Sequence, residues 1–137
     1  MVGGWITPLL LAMGCGSGQQ ATSPNSIDAA YERALELSQA GEYERATEAW
    51  TELIKLDPES PAHYGNRANC YSYLNKLDLA LKDYEESIAR TIALSGDPND
   101  PRLSYSYFNR GRAYDKQGQP GKALEDYEHG VHPQQAG

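Results

Sequence analysis

The chain repeats itself, and that limits its fold more than any other feature. Shifting residues 64–85 by 43 positions superposes nine identities. Tyr64, Asn66, Arg67 and Tyr71 return as Tyr107, Asn109, Arg110 and Tyr114. Ala80, Leu81, Asp83, Tyr84 and Glu85 return as Ala123, Leu124, Asp126, Tyr127 and Glu128. A shift of 34 relates an earlier unit to the middle one. Ala34, Ser38, Ala46, Glu52 and Ile54 match Ala68, Ser72, Ala80, Glu86 and Ile88, and Trp50 stands where Tyr84 does. A repeat of this size is one supersecondary unit that buries its apolar face only by stacking on neighbours.

The spacing of apolar residues makes each unit two helices. A helix over 27–40 with Ser26 as its N-cap ends at Gly41, and a second over 43–56 closes at Asp57-Pro58. Ser60-Pro61 opens a helix running to about Leu74. The next starts at Leu77 and carries Leu77, Leu81, Tyr84, Ile88 and Ile92 on one stripe until Ser95-Gly96. Asp100-Pro101 starts a fifth helix that ends at Gly118, and Gln119-Pro120 starts the last. Nine extra residues between Thr91 and Tyr107 are expected to lengthen both flanking helices and their loop.

This pattern resembles the tetratricopeptide repeat (TPR) family. A small residue recurs in each first helix as Ala34, Ala68 and Gly111. A tight turn follows at Gly41, Asn75 and Gly118. Alanine opens each second helix at Ala46, Ala80 and Ala123, and Trp50, Tyr84 and Tyr127 come four residues later. The small residues let paired helices approach, with the aromatics filling the space opposite. The resemblance implies an all-α fold, three helix-turn-helix units stacked as a short right-handed α-solenoid. The domain covers 26–133, with units at about 27–60, 61–94 and 101–133 and a tail at 134–137. The third unit lacks a further capping helix, so Leu124, Tyr127 and Val131 are expected to border an open surface.

The first residues form a separate object. Trp5 to Met13 is apolar apart from Thr7 and Pro8, and at about nine residues it is too short to span a bilayer. Leu11-Ala12-Met13-Gly14-Cys15 resembles the lipobox of bacterial lipoproteins. That implies a signal peptide at 1–14, acylation of Cys15, and a small polar tether at 15–25. Such a tether reaches only about 18 Å as a flexible coil, so the domain is expected to stay near the membrane of a bacterial cell envelope. No Lys or Arg precedes the apolar run, and the alternative is a leader for a secreted or periplasmic chain.

The side-chain chemistry points to binding rather than catalysis. Net charge is −7, a poor match for a nucleic-acid backbone. Two cysteines are too few for a disulfide framework. His63 and Cys70 lie seven apart on one helix, but both are expected in a helix–helix contact rather than as a reactive pair. His129 and His132 lack a third ligand, so neither metal nor cofactor is expected. Acidic runs such as 83–86 read as solvated faces. Arg67 and Arg110 read as spacers whose charge reaches water.

In TPR proteins the first helix of each unit lines a concave face. On that resemblance the groove takes Tyr31 from the first unit, beside Leu35, Ser38 and Gln39. It takes Asn66, Asn69 and Tyr73 from the second, and Tyr105, Phe108, Asn109, Arg112 and Lys116 from the third. Asparagine both donates and accepts, the aromatics supply rigid area, and Arg112 can receive a carboxylate. Some TPR domains grip a terminal carboxylate with Lys, Asn and Arg, but Tyr31 and Leu35 stand where Lys and Asn would be needed. The expectation is a non-catalytic adaptor binding a protein or peptide. The alternative is a structural subunit that self-associates, for example as a homodimer through its last helix.

Overall fold

Residues with left-handed backbone set the turns of the computed structural model, which describes residues 24–131. Gly41 (φ 77°), Asn75 (φ 60°) and Gly118 (φ 78°) join the two helices of each unit. Glu42, Lys76 and Gln119 N–H groups reach back to the Leu37, Tyr71 and Tyr114 carbonyls at 3.0, 2.8 and 2.9 Å. These bonds satisfy carbonyls left open at a helix end, so each turn is a true C-cap.

Six helices result: α1 (Pro24–Gln39), α2 (Tyr43–Leu56), α3 (Pro61–Tyr73), α4 (Leu77–Ser95), α5 (Leu103–Lys116) and α6 (Pro120–Val131). No strand occurs among the described residues. Each helix packs on its neighbours in sequence, and α3 also meets α5. The described residues form an all-helical solenoid of three hairpins. None of their helices is long and apolar enough to cross a membrane.

The core alternates small with large residues. Ala34, Ala46, Trp50, Leu53 and Cys70 form one buried cluster, and Ala68, Ala80, Tyr84 and Ala113 form a second. Burying Trp50 alone stabilises by about 4 kcal/mol on area, and its indole N–H donates to Ser38 Oγ at 2.9 Å. In the third unit Gly111 replaces alanine. A Cβ there would lie 2.8 Å from the Tyr127 ring, so α5 and α6 approach closely. Burial, followed by the Asp115 carboxylate that accepts its proton at 2.7 Å, pushes the Tyr127 phenol up to about 12.

Several expectations need correction. Helix α1 starts at Pro24, so Ser26 lies inside it and is not its N-cap. A proline at the first helical position opens this helix as Pro61 opens α3. Ser60 holds the N-cap position without a side-chain cap bond. Helix α5 starts at Leu103, not at Asp100. There Asp100 Oδ1 accepts the Arg102 N–H at 2.8 Å and closes a separate turn first. Hydrogen bonds from the Arg102 side chain and backbone hold the Asp100 carboxyl well below the usual range. The extra residues lengthen α4, at 19 residues against 14 for α2, while α5 has 14 against 13 for α3.

The largest correction concerns the arginines. Arg67 donates to both oxygens of Asp83 at 2.6 and 2.8 Å, and Arg110 to both of Asp126 at 2.7 Å each. Asp83 and Asp126 are 4% and 3% exposed, so these are desolvated pairs rather than solvated charges. Each guanidinium lies between two tyrosine rings. Tyr64 and Tyr71 flank Arg67 at 5.9 and 5.7 Å, and Tyr107 and Tyr114 flank Arg110 at 5.4 and 5.9 Å. Hydrogen bonding to the aspartate raises each arginine's pKa against the effect of burial.

Candidate peptide-binding groove

The contact of α3 with α5 creates a pocket of about 110 Å³ between the second and third units. Helix α3 supplies Asn69, Ser72 and Tyr73, α4 supplies Tyr84, and α5 supplies Tyr105, Asn109, Arg112 and Lys116. Their spacing of three and four residues puts each set on one helix face. Six of the nine expected groove residues therefore meet here.

A hydrogen-bonded chain fixes the pocket wall. Tyr84 Oη donates to Asn69 Oδ1 at 2.6 Å, and Asn69 Nδ2 donates to Tyr105 Oη at 3.3 Å. Burial, and then the neighbouring Tyr105, push the Tyr84 phenol up, so it stays a donor. Tyr73 stacks on Tyr43 of α2, with centroids 4.6 Å apart and planes at 5°. Lys116 Nζ reaches the Ser72 carbonyl at 3.5 Å and lies 5.9 Å from the Tyr73 ring.

Charge and hydrogen-bonding capacity remain unused. Asn109 is 8% exposed, and its Nδ2 has no hydrogen-bond partner. An orphaned buried donor costs free energy, about 1–3 kcal/mol. Arg112 is exposed and makes no ion pair among the described residues. No Asp or Glu lines the pocket. A second concavity of about 390 Å³ adjoins it across Tyr105 and contains Asn66. Gly65 forms part of its floor, where a Cβ would stand 3.2 Å from Ser87 Oγ.

Two expected residues lie elsewhere. The Tyr31 ring meets Trp50 edge-on at 5.3 Å and lies 5.9 Å from His63, within the first core. Phe108 packs on Tyr127 at 5.5 Å, toward the last helix. Ser38 and Leu35 also belong to the packed side: Ser38 Oγ donates to the Ala34 carbonyl, and Leu35 packs on the first core. Tyr84 and Ser72 were not foreseen in the groove. The recurrence of Tyr84 as Tyr127 marked it as a filler, and only its hydroxyl hinted at a polar end.

Other candidate chemistry is engaged in structural contacts. His63 Nε2 lies 3.1 Å from Asp57 Oδ2, and Cys70 Sγ lies 3.3 Å from Ser38 Oγ. Burial pushes the Cys70 thiol up, away from a reactive thiolate. His129 stacks on Tyr107 at 4.9 Å. Among the described residues no three His, Cys, Asp or Glu side chains gather around a metal-sized site. Cys15, the 1–14 leader, most of the 15–25 tether, His132 and the 134–137 tail lie outside the described residues.

Known proteins share both the sequence pattern and the fold. Hsp70-Hsp90 organizing protein 1 of Glycine max is 34% identical over 113 residues, covering 82% of this chain and 18% of that protein. Small glutamine-rich tetratricopeptide repeat-containing protein 2 of Saccharomyces cerevisiae is 37% identical over 86 residues, covering 63% and 22%. The chain thus spans about a fifth of the length of these curated relatives. Among solved structures, the type III secretion translocator chaperone SycD of Yersinia enterocolitica superposes with a TM-score of 0.71 at 20% identity, covering 83% of this chain and 80% of that one. The first TPR of Spaghetti (RPAP3), bound to the HSP90 peptide SRMEEVD, gives 0.70 at 22% identity, covering 84% of each. The family model described as tetratricopeptide repeat matches residues 59–131, over half of the sequence. With three hairpins stacked in one solenoid and that match across the second and third, the chain belongs to the tetratricopeptide repeat family.

Proposed function

We propose that the chain is a non-catalytic adaptor that binds an extended peptide or protein segment in the groove between α3 and α5. One observation carries this reading. The groove pairs an orphaned, buried Asn109 amide with the unneutralised charges of Arg112 and Lys116. Such a surface is completed by backbone carbonyls and a carboxylate from outside. The similar Spaghetti domain is bound to a peptide, which supports the reading.

The test is selection of ligands from a random peptide library on the full chain, followed by calorimetry. Arg112→Ala and Lys116→Ala each remove an exposed charge and should weaken the selected peptides about tenfold, roughly 1.4 kcal/mol, at unchanged melting temperature. Asn69→Ala should also weaken binding, but it strands the buried Tyr84 hydroxyl and should lower the melting temperature. Peptides indifferent to all three variants would refute the groove.

We further propose that Cys15 is acylated and holds the adaptor at a bacterial envelope membrane. The residues from Leu11 to Cys15 support this. Intact mass of the membrane-isolated protein beside Cys15→Ala tests it, and an unprocessed wild-type mass would end it. A structural, self-associating role has its own observation: Leu124 and Val131 are 59% and 69% exposed at the end of the stack.

A further inference from the structure

The three units differ at one place that the peptide groove does not use. In the second and third units, two tyrosines clamp an arginine that is paired in bidentate fashion with an aspartate. The first unit keeps the arginine as Arg33, 34 residues before Arg67. The tyrosine positions hold Ala30 and Leu37, and the aspartate position holds Ala49. These four residues line an open groove of about 520 Å³ between α1 and α2. The hollow is therefore the space of the missing side chains, with the arginine left at its edge.

We propose that this groove receives an aromatic side chain and a carboxylate from a partner protein. The partner would supply the two groups that the later units supply themselves. Arg33 is exposed and makes no ion pair among the described residues. Of the other charged residues along the groove, Arg45 pairs with Glu42 and Glu52 with Lys55. Glu48 remains, but it does not exclude a second carboxylate. Its counterpart Glu125 precedes Asp126, which pairs fully with Arg110. Residues 1–23 and 132–137 contain no Asp or Glu. Ala30, Leu37 and Ala49 offer an apolar bed for a ring, and guanidinium groups favour both ring faces and planar carboxylates.

N-acetyl-tyrosine carries both groups and serves as the probe. Titrated into the full labelled chain and followed by NMR, it should shift Ala30, Arg33, Leu37 and Ala49 with a dissociation constant on the order of 1 mM. Its amide, which lacks the carboxylate, should bind about tenfold more weakly. Ala49→Asp should block the site by giving Arg33 an internal partner, and Arg33→Gln should weaken binding without filling the hollow. Equal affinity for acid and amide, or shifts that persist in both variants, would overturn the proposal. Concentration-dependent shifts at these residues without probe would assign the groove to a second copy and overturn it too.

Discussion

Asp83 and Asp126 show how a single residue can be both acidic and structural. Each accepts two charge-assisted hydrogen bonds from an arginine that is itself largely buried, with side chains 17% and 19% exposed for Arg67 and Arg110. Replacing such a pair with apolar residues is often neutral, whereas removing one partner strands a desolvated charge. Asp126→Ala is therefore expected to destabilise by about 3 kcal/mol, read from urea unfolding. The double variant Arg110→Met/Asp126→Leu should recover much of that loss. Asp115→Ala is the control. It removes an exposed acceptor from Tyr127 and should cost under about 1 kcal/mol. Equal losses for Asp115→Ala and Asp126→Ala would show that the buried pair is not special.

The turns and the C-terminal ends of the helices were legible in the sequence because they rest on local chemistry, whereas the starts of α1 and α5 were not. Gly41, Asn75 and Gly118 announce left-handed turns, and α2 has the expected bounds. The match of Ala34, Ala68 and Gly111 to an aromatic opposite is also local once the repeat is aligned. What escaped depends on contacts between elements. Arg67 and Asp83 are 16 residues apart on different helices, and a charge run on one helix looks solvated until its partner helix is placed. The pair's joint return as Arg110 and Asp126 was the signal available. Likewise the face of α5 was readable, but its meeting with α3 was not, so Tyr31 and Phe108 could not be separated from the six residues that share the pocket. The lengthened α4 carries an element-scale prediction. It stops at Gly96, with φ 70° and its N–H bonded to the Ile92 carbonyl at 2.7 Å. A Cβ at Gly96 meets nothing within 4 Å, so the cost of alanine is purely conformational. Gly96→Ala should lower stability by about 1 kcal/mol, shifting the urea midpoint at an unchanged slope. No shift would mean that the loop after α4 relaxes out of the left-handed conformation.

At the scale of the molecule, the two ends of the stack are unlike. A solenoid whose last face matches its first can add copies head to tail without closing. Leu124 and Val131 are exposed at one end and invite such growth. The other end opposes it. Glu32 and Glu36 occupy in α1 the positions that Asn66 and Cys70 occupy in α3, and both are exposed. Within the chain, Cys70 lies 3.3 Å from Ser38, whose counterpart in the third unit is Asp115. Continuing the superhelix into a second copy would therefore press Glu36 against that copy's Asp115. Two like charges at such a distance, on a chain of net charge −7, disfavour the contact. Sedimentation velocity should accordingly show no growth of the wild-type protein into longer species as concentration rises. Glu36→Lys converts the repulsion into attraction and should produce concentration-dependent assembly that salt weakens. Adding Asp115→Lys to that variant should restore the repulsion and abolish the assembly. Growth of the wild type itself would mean that the acidic face is no barrier and would favour the self-associating role over the adaptor.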